Sequence, residues 1–229
     1  MRGLRKDLEL IADKLIAKYS IMLEDDSFIP TRARRASLTP LESLIGIILS
    51  QNSTDKNAWK ALENLLTYYG GRVTAEKISG TDLRVLESLI KPAGIYRSKA
   101  RAIKNLVSVL SEEDLVNLDV DELRKRLSSV RGIGPKTVDV FLASVRGVPT
   151  FPIDTHIRRI LYRIGAISKK TESYGKIRSL VMSQVPPDKL LITHYVLILH
   201  GRTICKARNP KCAECPVEDL CEKRGLTPD

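Results

Sequence analysis

Aromatic residues make up only 5% of the 229-residue chain, so a core has to be assembled from Leu, Ile, Val and Ala. Cysteine is missing from the first 204 residues. With no signal-peptide pattern in the opening MRGLRKDLELIADKLIAKY, that excludes a secreted disulfide framework. No apolar run is long enough to span a bilayer; Leu44 to Leu49 is among the longest. No stretch alternates apolar and polar residues as a half-buried strand does. Asn and Gln together number eight, a faint sign of a hot habitat. Acid is also in deficit, with 27 Asp and Glu against 38 Lys and Arg, a net charge of +11. That imbalance favours a polyanionic partner, above all nucleic acid; a solvated basic surface on an ordinary enzyme is the plainer alternative. The expectation is a soluble, cytoplasmic protein with no membrane partner.

What is present is helical periodicity. Leu8, Ile11, Leu15 and Ile16 form one apolar face, Trp59, Leu62, Leu65 and Leu66 another, and Leu83, Leu86, Leu89 and Ile90 a third. Leu115 with Leu118 and Leu123 with Leu127 begin two more, and Val138, Phe141, Leu142 and Val145 complete the set. Short Gly or Pro punctuation separates them, at Gly70-Gly71, Pro92 to Gly94 and Gly147 to Pro149. The chain reads as all-α. The segment 27-SFIPTRARRASLTP-40, with three arginines and no acid, reads as a loop and an early boundary; 146-RGVPTFP-152 reads as a second break.

All four cysteines fall in one short stretch, Cys205, Cys212, Cys215 and Cys221, spaced C-x6-C-x2-C-x5-C. Four thiolates so close imply a soft metal centre. Zinc usually takes two C-x2-C knuckles and only one is present, whereas a [4Fe–4S] cluster tolerates wider spacing, so both stay open on chemistry alone. Lys206, Arg208 and Lys211 put three cations on the first ligand loop. They suit phosphate contacts, or a basic shell that balances thiolate charge.

The stretch 130-VRGIGPKTVDVF-141 places Lys136 just inside a helix start, where the dipole disfavours a cation. Gly132 and Gly134 permit positive φ and leave backbone N–H groups uncovered, and Pro135 suits the first helical position. Such a turn can grip a phosphate through its main chain. A similar turn, 91-KPAGIYRSKARAIK-104, leads into a helix carrying Arg97, Lys99, Arg101 and Lys104. Lys136 is then either a phosphate ligand or an amine kept neutral by the dipole and Arg131, hence a nucleophile. A nucleophilic role needs a partner carboxylate. Asp154, in 152-PIDTHIRRILYRIGAI-167, stands where a helix N-cap belongs and is either that partner or only a cap.

Together these pieces resemble the endonuclease III family of helix–hairpin–helix DNA glycosylases. The resemblance rests on 48-ILSQNSTDKN-57, 91-KPAGIYRSKA-100, 130-VRGIGPKT-137, 150-TFPIDTHIRRI-160 and 195-YVLILHGRTICKARNPKCAECPVEDLC-221, in family order. It implies two helical domains with a DNA-binding cleft between them. One is a six-helix domain over 37–148 with the helix–hairpin–helix; the other joins 1–36 to 149–229 and holds the cysteines at 205–221. It implies a [4Fe–4S] cofactor on the four cysteines, Lys136 and Asp154 as catalytic residues, and double-stranded DNA carrying damaged bases or abasic sites as partner. Gly132, Ile133 and Gly134 would hold the strand backbone, beside Arg131. Gln51 or Asn52 would fill the gap left by a flipped base, the alternative being that they cap the helix containing Trp59. A monomer acting at the nucleoid completes the expectation. The sequence departs from the family at Val138, where alanine is common. Asp139 follows it and either joins the site or faces solvent, and the 27–40 arginine loop has no close counterpart.

An amine nucleophile implies base removal coupled to strand cleavage by β-elimination, with oxidised pyrimidines as the substrate class the family suggests. The competing readings are a mismatch glycosylase removing thymine or uracil opposite guanine and an adenine glycosylase; those branches often lack the lysine. A non-catalytic DNA-binding module would not require both Lys136 and Asp154.

Overall fold

The computed structural model describes residues 7–19 and 28–226, and every regular element among them is helical. The described residues fall into two compact units, Asp25–Val148 and Met1–Glu24 with Pro149–Asp229. Residues 1–6 of the opening segment and Ser27 lie outside the described residues.

The first unit is built on α3, Pro40–Ser50, which is buried from Leu41 through Leu49. Thr39 and Glu42 form a reciprocal capping box at its start. Glu42 is itself buried, and its second oxygen accepts from Val73 N at 2.8 Å. Around α3 pack α2 (Ile29–Arg35), α4 (Asp55–Tyr68), α7 (Tyr96–Val109), α8 (Glu112–Asn117) and α10 (Pro135–Ser144). The short α5 (Ala75–Gly80) and α6 (Leu83–Leu89) lie against α7, and α9 (Val120–Ser129) lies against α10. The apolar faces read from periodicity point inward: Trp59, Leu62, Leu65, Leu86, Leu115, Leu123, Leu127, Phe141 and Leu142 are all buried. Each such aliphatic side chain contributes about 1.5–3 kcal/mol relative to exposure.

The arginine segment is not a loop. Residues 29–35 form α2, with Pro30 in its first turn, and Ile29 and Ala33 are buried. It belongs with α3 rather than with the N-terminal helix, because Gly46 lets it approach closely; a Cβ there would sit 2.9 Å from Ile29 Cγ2. Arg32 lies over the Trp59 ring at 4.0 Å.

The second unit centres on α13 (Leu190–Thr203), buried almost continuously from Thr193 to Gly201. Against it lie α1 (Leu8–Tyr19) and α11 (Thr155–Arg163), and α12 (Tyr174–Met182) completes the unit's α-helices among the described residues. Gly201 faces His156, whose Cβ would be 2.8 Å from any side-chain carbon at 201. After α13 the chain gives up regular helix, and residues 205–221 contain only two 3-10 turns, Cys212–Glu214 and Glu218–Leu220.

Candidate functional site

The hairpin lies between α9 and α10. Ile133 N donates to Val130 O at 3.0 Å, and the Ile133 side chain is buried, which plugs the turn into the core. Gly132 has φ 101, and a Cβ on it would lie 2.6 Å from Ala102 Cβ on α7, so both conformation and space demand glycine. Gly134 departs from expectation: its φ is −94, an ordinary value. Nothing lies within 4 Å of where its Cβ would be, so its effect is to leave open room at the start of α10. Among the described residues neither Gly132 N–H nor Gly134 N–H has a protein acceptor. Two uncovered main-chain donors thus meet the positive end of a helix, an arrangement suited to an anion. Lys136 is the second residue of α10, and Arg131 is exposed on the turn.

Three contacts fix this turn. Asn105 Nδ2 on α7 donates to Arg131 O at 3.2 Å. Gln51, just past α3, donates from Nε2 to Thr137 Oγ1 at 2.8 Å and to Gly132 O at 3.4 Å. Asp139, expected either in the site or in solvent, is fully buried and pairs with Arg124 Nη1 of α9 at 2.6 Å. Position 139, three residues on from Lys136 on the same side of α10, lies where that helix packs against α9. Gln51 and Asn52 do not cap the helix containing Trp59; Thr54 does, its side chain accepting from Asn57 N. Asn52 is exposed and left-handed, with φ 48.

The second turn runs through a 3-10 turn at Lys91–Ala93 to Gly94 and Ile95, then α7. Its four cations do not act alike. Arg97 and Arg101 are exposed. Lys104 Nζ is turned to the carbonyls of Ser79 and Thr81. Lys99, only 3% exposed, donates to Leu49 O and Ala93 O, each at 2.8 Å. Burial pushes its ammonium down to about 8. Ile95 escaped the sequence reading: it is 57% exposed and left-handed, with φ 48. A β-branched residue in that region is strained. The signal available was an apolar residue wedged between a turn glycine and a basic helix.

In the second unit Asp154 caps α11, its Oδ1 accepting from Ile157 N at 2.8 Å. The segment before it is held by burial of Phe151, Pro152 and Ile153 and by His194 Nδ1, 3.0 Å from Pro152 O. At the far end of α11, Arg163 reaches into the cysteine loop. It donates to Lys206 O at 2.6 Å, Ala207 O at 3.1 Å and Cys205 O at 3.4 Å, and to Cys205 Sγ at 3.3 Å. Arg159 adds a bond to Cys205 O at 3.0 Å. Lys206, Arg208 and Lys211 are exposed, with Lys211 paired to Glu214 at 3.0 Å.

None of the four cysteines forms a disulfide, and all four line one cavity with Arg163, Ile204, Pro210 and Leu226. Among the described residues no three His, Cys, Asp or Glu side chains stand close enough to hold a single metal ion. Thiols that share a cavity at wider spacing fit a four-iron body better than tetrahedral zinc. Burial, with the neighbouring thiols, pushes Cys215 up to about 11. His200 Nε2 lies 3.6 Å from Cys215 Sγ.

Residues 45–187 match the HhH-GPD superfamily of base excision DNA repair proteins, and residues 205–221 match the iron–sulfur binding domain of endonuclease III. An endonuclease III of Sulfolobus acidocaldarius is 36% identical, covering 91% of this chain and 92% of that one. The chain belongs to the endonuclease III family. Among solved structures, a non-covalent endonuclease III–DNA complex superposes with TM-score 0.79 at 29% identity, covering 94% of both chains. A trapped endonuclease III–DNA covalent intermediate superposes with TM-score 0.77 at 30% identity, again over 94% of both. This family member is a base excision repair DNA glycosylase with a [4Fe–4S] cofactor. No described helix is long and apolar enough to cross a membrane.

Proposed function

We propose that the protein removes oxidised pyrimidines from double-stranded DNA and then cleaves the strand, with the Lys136 amine as nucleophile. The observation that carries this is the placement of Lys136 directly beside two uncovered main-chain donors at the start of α10. A phosphate held on Gly132 and Gly134 brings the adjoining sugar to the amine. A relative of 30% identity that is trapped covalently on DNA supports the same chemistry.

In this reading the damaged nucleotide leaves the stack, at a cost of about a few kcal/mol that lesions reduce. Gln51, whose amide is already hydrogen-bonded to the hairpin, fills the vacated space, with Asn52 beside it. Exposed Ile95 presses between base steps as an apolar wedge. Arg131, Gly132, Ile133 and Gly134 hold the strand, and Lys206, Arg208 and Lys211 add phosphate contacts. The neutral Lys136 Nζ attacks C1′; the C1′–N bond breaks, and its electron pair leaves with the base, which takes a proton. Asp154 stabilises the positive charge that develops on the sugar. Its N-cap bond uses Oδ1 alone. The sugar ring opens to a Schiff base, a base removes the 2′ proton, and the C3′–O bond breaks with the phosphate oxygen leaving. Water then releases the lysine.

Cys205, Cys212, Cys215 and Cys221 hold the [4Fe–4S] cluster, which supplies a rigid cross-link for an otherwise irregular loop. The protein works as a monomer inside the cell, on chromosomal DNA. Borohydride reduction on a duplex with an abasic site tests the amine: the cluster-loaded protein should give a covalent adduct. Lys136→Gln should give none and should lose cleavage by several orders of magnitude. Undiminished cleavage of lesion-bearing duplex by that variant would falsify the assignment.

A further inference from the structure

Lys99 takes no part in the chemistry above, yet a nearly buried lysine without a carboxylate is costly unless it is paid back in hydrogen bonds. Here both observed partners are main-chain carbonyls from different segments. Leu49 O belongs to the last turn of α3, two residues before Gln51. Ala93 O belongs to the turn that delivers Ile95, also two residues on. A cation suits the first partner because the C-terminal end of a helix is electronegative. Burial alone does not explain the arrangement, since a methionine or leucine would fill the same space without a desolvation penalty.

The link continues. Gln51 binds Gly132 O and Thr137 Oγ1 in the hairpin. The left-handed Ile95 is strained and must be held by its surroundings. One ammonium group therefore joins the segment ending in Gln51 to the segment ending in Ile95, and Gln51 joins both to the turn before Lys136.

We propose that Lys99 is a positioning residue for lesion recognition, its two carbonyl bonds fixing the spacing between Gln51 and Ile95. The inference rests on those two residues being DNA contacts. Without the ammonium, the α3 terminus and the 91–95 turn relax separately. The hairpin still meets undamaged duplex, but the extruded state loses its support. Affinity for a duplex carrying a single tetrahydrofuran site should fall about tenfold, while affinity for the undamaged duplex stays within about twofold.

The test is a coupling measurement on the cluster-loaded protein. Lys99→Met is compared with the parent, and the same change is made in a Gln51→Ala/Ile95→Ala background, with binding to both duplexes and thermal unfolding recorded. The expected result is a tenfold loss of preference for the tetrahydrofuran site in the parent and almost none in the double-substituted background. A merely structural lysine would cause the same loss in both backgrounds, and that outcome overturns the proposal, as does no loss in either. If Gln51→Ala/Ile95→Ala keeps full preference, the DNA-contact reading of those residues fails, and the role of Lys99 falls with it. Should Lys99→Met not fold, Lys99→Gln, which keeps one amide donor, is judged by the same criteria.

Discussion

The two units each surround a helix buried on all sides, α3 in one and α13 in the other, but they hold their functional loops in different ways. The hairpin at 130–134 is fixed by its own backbone, by Ile133 in the core and by the close approach of Gly132 to Ala102. The cysteine loop has little regular structure, and only Val217 of residues 205–221 is buried. It is held by arginine side chains from α11 that reach its carbonyls. The hairpin's own contacts are enough to fix it. The loop instead brings four half-buried cysteines to one cavity, where a [4Fe–4S] cluster would cross-link them.

The largest effect should come from breaking the loop. Cys215→Ser should abolish the visible absorbance of the cluster and expose 205–226 to proteolysis and amide exchange, leaving exchange in the hairpin unchanged. Equal loss of protection in both places would remove the distinction between them. Next is Asp139→Ala, which strands a partly buried arginine in the hairpin's first helix. It should cost about 3 kcal/mol in denaturant unfolding, similarly with and without the cluster. Gly132→Ala forces a side chain against α7 in a left-handed conformation; about 2 kcal/mol of stability should go, and DNA affinity with it. The smallest change is to the medium: affinity for undamaged duplex should fall steeply as salt rises, because the exposed cations and main-chain donors contact phosphate. A flat salt response would mean that the basic surface does not meet the backbone.

The apolar faces were readable in the sequence because each lies within one helix, where spacing alone decides which side is buried. The cysteine loop was readable for a similar reason, since four ligands in a short stretch announce a metal centre. The misreadings share a different origin. Helix α2 carries only Ile29 and Ala33 as apolar anchors, too few for a periodic pattern, and its proline and arginines suggested a loop. Lys99 and Lys104 read together with Arg97 and Arg101 as one basic helix after a phosphate-gripping turn, but their acceptors are carbonyls from other segments. Asp139 finds Arg124 fifteen residues earlier, on another helix. Gly134 looked like a second positive-φ glycine, whereas its φ is −94 and it makes no close approach like that of Gly132 to Ala102. Each of these is decided by tertiary contacts that no local window contains.

Helix α11 has Asp154 at one end and Arg163, with its grip on Cys205, at the other. Nine residues at about 1.5 Å each make a stiff rod between them. A shift of the cysteine loop therefore cannot be absorbed by slack chain. It arrives at the carboxylate as a tilt or a slide of the whole helix, like a lever moved from its far end.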